Sequence, residues 1–235
     1  MNKYELVQRI ENFAPLEAQE KWDCSGWIID SVGKNSVKKI MLALTPTNSV
    51  IQQAIDKNCD LIISHHPLFY VDCTLFNNFS PPIDIYCAHT NFDKANGGTT
   101  DRIIDVLGLA NYKIELNHDF LRIVEFEISV VDFSDLIRRN FKNSRVVNNY
   151  NRNKLKRIAF CAGSGSDFIE DSTFLGADCL VTGDIKYHTA ADSKIVLYDI
   201  GHFGSEIICL KVLESIISNG IEIVYANESD PLSPI

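Results

Sequence analysis

No apolar run in this chain of 235 residues approaches the roughly 20 residues a membrane span requires. The opening stretch "MNKYELVQRIENF" has no apolar core of the kind a signal peptide carries, so a cytoplasmic protein is expected. Positive charge is scarce: 22 Lys and Arg stand against 31 Asp and Glu, for a net charge of −9 and a pI near 5.1. That balance argues against a bulk electrostatic hold on nucleic acid or an anionic membrane. Any phosphate the chain binds needs local help, from a metal or a helix N-terminus. Paired cysteine motifs are missing as well. The seven cysteines, at 24, 59, 73, 87, 161, 179 and 209, form no CxxC and are odd in number, which suits reduced thiols rather than a disulfide framework. Cys87, Cys161 and Cys179 lie in or beside apolar runs, where a free thiol behaves as a small hydrophobe. What remains is ordinary globular composition, 46% hydrophobic and 23% charged, enough for one large core or two lobes.

The chain repeats itself. "KKIMLALTPTNSVIQQAIDKNCDLIISHH" (38 to 66) and "KRIAFCAGSGSDFIEDSTFLGADCLVTGD" (156 to 184) align without a gap at an offset of 118 residues, Asp60 matching Asp178. Each is a basic pair, an apolar strand, a polar turn, a helix-length segment and an aspartate leading into a second apolar strand. A third strand follows in each half, "IDIYCAHTNFD" (83 to 93) and "KIVLYDIGHFGSE" (194 to 206). Apolar strands alternating with helical stretches such as "SVIQQAIDK" (49 to 57) are the pattern of α/β units with buried strands. The segment from about Gly204 to Ser218 reads as one helix with Ile207, Leu210, Val212, Leu213 and Ile217 on one face, stopped by "SNG". Between the halves, 120 to 153 reads as strand, helix from Asp135 to Phe141, strand, and a polar turn; "NNYNRN" is its most linker-like stretch. The expected fold is therefore α/β, with two related lobes at 1 to 119 and 120 to 235 able to face each other across a pseudo-twofold axis. The C-terminal "NESDPLSPI" is expected to return over the surface.

Only six histidines are present, and four of them, His65, His66, His89 and His202, lie where apolar strands end. Strand ends are where α/β proteins build sites. His65 and His66 precede Pro67, which biases His66 toward an extended backbone. Side chains of neighbouring extended residues diverge, so one metal suits both poorly, whereas two metals about 3.5–4 Å apart could each take one imidazole. His202 and Glu206 are four apart at a helix start, and His89 and Asp93 repeat that spacing in the first half, which puts each pair on one helical face. Imidazole with carboxylate suits zinc, iron, manganese or nickel. The competing reading is scattered surface or capping histidines; His118, in "ELNHDF", is read that way.

Taken together, "APLEAQEKWDCSGW" (14 to 27), "ISHHPLF" (63 to 69), "HTNFDKANGG" (89 to 98), "VTGDIKYH" (181 to 188) and "DIGHFGSE" (199 to 206) resemble the Nif-three-like proteins with dinuclear metal sites, many of them named GTP cyclohydrolase I of the second type. The motifs span nearly the whole chain in the family's order. The resemblance implies two divalent metal ions per subunit held by His65, His66, Asp93, His202 and Glu206, with Glu206 a bridge, in a cleft between the two lobes, and a homohexameric ring. It leaves His89 open between touching metal and orienting a ligand. At this length the chain resembles the family's short form. It departs from the pattern at Cys24, where the family's Trp-Asp-Asn motif has asparagine, and at Thr100, where asparagine is also customary.

Two divalent ions sharing a water lower its pKa and polarise a carbonyl, ring carbon or phosphoryl group, so hydrolysis is the default chemistry of such a site. For the family's named activity, water would attack C8 of a purine nucleotide and release formate; another nucleotide or phosphoester is the related possibility. A metal-binding regulatory or adaptor protein without turnover is the alternative. "CAGSGSDF" (161 to 168) could present the N–H groups of Gly163 and Gly165 to a phosphate, or be a tight turn that needs glycine. It lacks the Lys-Ser/Thr of a P-loop. By the repeat, Asp184, Lys186, Tyr187 and His188 take the place of the double histidine. Lys186 could thus pair with a substrate phosphate, and His188 and Asp184 could act as catalytic or ligand-supporting groups, against the alternative of solvated loop side chains. Trp22 and Asp23 could line the cleft, or serve as an apolar anchor and a helix-end cap.

Overall fold

The computed structural model describes residues 1–31, 33–68, 83–218 and 220–232. Cys73, Phe69 of "ISHHPLF" and Asn219 of "SNG" lie outside the described residues, as do 233–235. The chain forms two compact units, Met1–Gly98 with Cys209–Ser229, and Thr99–Ile208 with Asp230–Ile235.

The first unit is built on strands β1 (Gly26–Ile29), β2 (Lys39–Ala43), β3 (Leu61–Ser64), β4 (Asp84–Cys87) and β11 (Glu222–Tyr225), in the order β1-β4-β3-β2-β11. β2, β3, β4 and β11 run parallel, and β1 closes one edge antiparallel to β4. Strands β3 and β4 are buried along their whole length, as expected of a parallel sheet covered on both faces. On one face Met41, Ala43, Ile62 and Ile85 pack with Val50, Ile51 and Ala54 of helix α2 (Asn48–Asp56). Thr47 caps that helix by accepting from the Val50 N–H. Helix α1 (Lys3–Phe13) packs with α9 (Leu210–Ile217), and α9 also packs on β2.

The second unit has six strands, β5 (Lys113–Ile114), β6 (Arg122–Ser129), β7 (Arg145–Val147), β8 (Lys154–Phe160), β9 (Cys179–Thr182) and β10 (Val196–Asp199), in the order β5-β6-β8-β9-β10-β7. β8, β9 and β10 are parallel. One face buries Ile158, Phe160, Val181 and Tyr198 with residues of α4 (Thr99–Val106) and α5 (Val130–Asn140); the other buries Ala159, Leu180 and Leu197 beside Phe168 and Ile169, the first residue of α6 (Ile169–Phe174).

The repeat is structural. Ile40 pairs with Leu61 across β2 and β3, and Ile158 with Cys179 across β8 and β9, the same register 118 residues on. Asp60 Oδ2 accepts from the N–H groups of Lys38 and Lys39 at 2.8 and 3.1 Å, and Asp178 Oδ2 from those of Lys156 and Arg157 at 2.8 and 3.2 Å. In both halves the aspartate before the second strand pins the start of the first.

Several boundaries differ from the sequence reading. The first unit ends at Gly98 rather than 119, and 209–229 belong to it rather than to the second. The reason is β11, whose Ile223 and Val224 pair with Ile40 and Met41, so the C-terminal segment completes a sheet before it reaches the surface. The single helix expected from Gly204 to Ser218 is three pieces: α8 (His202–Glu206), a 3₁₀ turn (Ile207–Cys209) and α9. Helix α5 starts five residues before Asp135, because Ser129 caps it by accepting from Asp132 N at 3.0 Å while Val130 and Val131 mimic a strand. "NNYNRN" is no linker: Asn149 Nδ2 donates to the carbonyls of Ala190, Ala191 and Ser193, holding the turn inside the second unit.

Candidate metal centre

In the first unit the parallel strands deliver three imidazoles to one place. His65 and His66 follow β3, and His89 follows β4 at the N-cap of helix α3 (Thr90–Lys94). Their ring centroids lie 5.2, 5.3 and 5.5 Å apart, and each offers a ligand atom within 4.8 Å of the others'. The divergence expected of His65 and His66 does not occur, because both lie past the end of β3 in a bend, with their N–H groups bonded to the carbonyls of Ala43 and Leu44. Asp93, one turn along α3 from His89, brings Oδ1 to 3.4 Å from His65 Nε2.

Each ring is held from behind. His65 Nδ1 is 2.8 Å from the Ala88 carbonyl, which can only accept, so the proton sits on Nδ1 and Nε2 carries the lone pair. His66 Nδ1 is 2.8 Å from Thr45 Oγ1, and His89 Nδ1 is 2.8 Å from Asp23 Oδ1. Asp23 is a hub: it also accepts from the Cys24 N–H, the Ser25 hydroxyl, and both the N–H and hydroxyl of Thr90. Burial alone would raise its carboxyl, but the hydrogen bonds from His89 and Thr90 outweigh burial and hold it well below the usual carboxylate range. Trp22 is exposed and meets His89 edge-on at 6.1 Å. The Cys87 thiol donates to the His65 carbonyl, and burial pushes it far above its ordinary value, so it is a packing group. Cys24 is exposed.

The second unit carries a smaller group. His202 and Glu206 open and close α8, with Nε2 3.0 Å from Oε2, and His202 Nδ1 is 2.6 Å from Asp184 Oδ2. Asp184 reaches that ring from a backbone with φ 54, a conformation that asparagine and aspartate tolerate better than most residues. Burial draws the His202 ring toward neutrality, but the Glu206 and Asp184 carboxylates overcome it and raise the ring to about 9. A divalent ion bound there would displace that proton.

Gly163 serves this group sterically, and Gly165 serves the turn beside it. Gly163 sits at φ 60, and a Cβ there would strike the Glu206 carboxylate; one at Gly165 would strike Cys161. Their N–H groups are spent inside the unit, Gly163 on Ser205 Oγ at 3.0 Å and Gly165 on Thr182 Oγ1 at 2.8 Å. The turn is therefore the tight one that needs glycine, and those two N–H groups do not await a phosphate. Lys186 and His188 lie exposed at the start of helix α7 (Tyr187–Asp192), His188 meeting Tyr187 edge-on at 5.4 Å. His118 accepts from the N–H groups of Phe120 and Leu121, a loop-capping role.

The donor set fits a transition metal or zinc: buried and half-buried imidazoles with their far nitrogens anchored by a carbonyl, a hydroxyl and carboxylates, and carboxylate oxygens within reach. Fold and donors together define an α/β protein of two repeated units with a candidate metal centre. The chain belongs to the Duf34/NIF3 (NGG1p interacting factor 3) family, whose model matches residues 1–231. It is 32% identical to a GTP cyclohydrolase 1 type 2 homolog of Clostridium perfringens, over 98% of both chains. It is 33% identical to the one of Clostridium acetobutylicum, over 97% of this chain and 96% of that one. Among solved structures it resembles reduced HcgD from Methanocaldococcus jannaschii, with TM-score 0.82 and 25% identity over 97% of this chain and 98% of that one. The protein ybgI, of unknown function, shares the fold at TM-score 0.85 and 19% identity, over 98% of this chain and all of that one. No helix among the described residues is long and apolar enough to cross a membrane.

Proposed function

We propose that the chain is a metal-dependent hydrolase of a purine nucleotide, with two divalent ions held by His65, His66, Asp93, His202 and Glu206. The observation that carries this reading is the uniform anchoring of the imidazoles. In His65, His66 and His202 alike, Nδ1 meets an oxygen 2.6–2.8 Å away, which directs Nε2 as the coordinating atom; His89 is anchored the same way, by Asp23. The substrate class comes from the relatives' name, GTP cyclohydrolase 1 type 2 homolog. Bound ions would supply an activated water and a Lewis acid.

The chain's own residues do the rest. Asp184 holds the His202 ring, Asp23 holds His89, and Gly163 leaves room for the Glu206 carboxylate. Exposed Lys186 would pair with a substrate phosphate, and exposed His188 would move protons between water and the leaving nitrogen. In the expected reaction C8 of the purine departs as formate. A ring of six copies belongs to the same reading, and native mass spectrometry measures it.

The test is formate release from GTP and a panel of other nucleotides by metal-replete protein, with His66→Ala as the control. Turnover that falls by about 100-fold or more in the variant is the expected result. Metal-loaded protein that turns over nothing on the panel rejects the enzyme. The second reading, an adaptor whose metals hold its shape, would then stand; the family's description as an interacting factor favours it.

A further inference from the structure

Strand β11 does not release the chain at Tyr225. Ala226 N donates to the Leu42 carbonyl at 2.9 Å, extending the β2 register. Asn227 and Gln53 of α2 then exchange two hydrogen bonds, Asn227 N to Gln53 Oε1 at 2.8 Å and Gln53 Nε2 to the Asn227 carbonyl at 3.2 Å. Glu228 is thereby set over the turn that leaves β2. Its Oε2 accepts from Leu44 N at 2.7 Å and its Oε1 from Thr45 N at 2.9 Å.

Those two peptides carry His66. The Leu44 carbonyl accepts the His66 N–H at 2.8 Å, and Thr45 Oγ1 is 2.8 Å from His66 Nδ1. β2 ends at Ala43, so the N–H groups of Leu44 and Thr45 have left the strand and need another acceptor. A carboxylate serves both with charge-assisted bonds, stronger than neutral ones.

We propose that Glu228 is a positioning residue for His66: by clamping the Leu44 and Thr45 amides it fixes the Thr45 hydroxyl that orients the His66 ring for metal. This rests on the metal-centre reading and adds to it a residue 184 positions away from the turn it holds. Burial works against the charged form of Glu228 and raises its carboxyl, while the two N–H groups draw it back down, as expected of a carboxylate kept at a half-buried place for its acceptors. Partners that orient a ligand from behind are worth about 10–100-fold in metal affinity.

The test uses the full chain, with cobalt(II) as the probe, because its visible absorption reports the geometry of each bound ion. Glu228→Ala should weaken one cobalt site by about tenfold or more and change its spectrum, leaving the other site as in the wild type. Glu228→Gln, which keeps one acceptor, should fall between. In a Thr45→Val background the Glu228 substitution should add no further loss, since the route through the hydroxyl is already cut. Histidine ¹⁵N spectra recorded without metal should show the His66 tautomer balance change in Glu228→Ala while that of His89 stays put. The proposal is overturned if Glu228→Ala keeps both cobalt affinities, if its loss simply adds to that of Thr45→Val, or if only the melting temperature moves. Should Glu228→Ala fail to fold, Glu228→Gln and Thr45→Val complete the same cycle. Wild-type protein that ignores cobalt, or binds it equally well after His66→Ala, rejects the metal reading instead, and the ¹⁵N spectra still decide whether Glu228 orients the ring.

Discussion

His89 depends on a residue that its own motif does not contain. The ring is fixed by Asp23, 66 positions earlier, and the same carboxylate collects both polar groups of Thr90. Asp23→Ala would strand these donors, at about 1–3 kcal/mol for each buried one left unmade. It would also release His89, so zinc affinity should fall by about tenfold. Zinc titration against a chelating indicator, with thermal unfolding in parallel, measures both; unchanged affinity in a destabilised variant would make Asp23 a purely structural hub. At this scale the sequence was informative where a chemical side chain ended an apolar run, as at His65, His66, His89 and His202. It was silent on Thr45 and Glu228 and offered Asp23 only as a cleft-lining or capping residue, because what these supply is an acceptor for a group distant in the chain. Gly163 and Gly165 were visible as a glycine-rich turn, but only the neighbours Ser205 and Thr182 reveal that their N–H groups are already engaged.

Among the elements, the two β-α-β repeats were legible down to their 118-residue offset because a buried parallel strand tolerates little but apolar residues, and the pinning aspartates Asp60 and Asp178 sit at matched places. Helix α1 was less transparent. Its Lys3 is fully buried despite its charge, with Nζ 2.6 Å from Asp30, 2.7 Å from Asp84 and 3.0 Å from the Ser31 carbonyl. It thereby ties the helix to the start of β4. Lys3→Met would leave Asp84 buried without its cation, a loss of about 3 kcal/mol. Burial alone would lower the lysine's pKa, but the hydrogen bonds and charges of Asp30 and Asp84 raise it above 10.5. The sign follows: the folded form holds its proton more tightly than the unfolded chain, so the stabilisation is complete below 10.5 and fades as pH climbs through the raised value. Urea midpoints of wild type and Lys3→Met should therefore differ by a constant amount from pH 7 to 9 and converge above pH 10.5. A gap that persists undiminished at high pH would assign the loss to packing around Lys3 rather than to its charge.

At the scale of the whole chain, the two units are interleaved in sequence: the path leaves the first after Gly98 and comes back to it at Cys209. Nothing in residue type marks Cys209 as a boundary, since apolar patterning runs straight through "SEIICLKVLESIIS", and "ANGGTT" at Gly98 reads only as a turn between helices; the repeat itself stops short of both. The return has an energetic consequence. Residues 209–229 give the first unit the buried side chains Cys209, Leu210, Leu213 and Ile217, and strand β11 covers the open edge of β2. Fully burying a side chain such as leucine or isoleucine is worth about 1.5–3 kcal/mol, so Leu210, Leu213 and Ile217 alone approach the 5–15 kcal/mol that separates a typical domain from its unfolded state. A chain ending at Ile208 would also bare the β2 edge, a template for pairing with other chains. We expect that truncation to leave amides of β2, β3 and β4 unprotected in hydrogen exchange while those of β8, β9 and β10, whose partners all lie within 99–208, stay protected. Equal protection in both sheets would show that the first unit stands without its C-terminal strand and helix; loss in both would show that the units fold only as one.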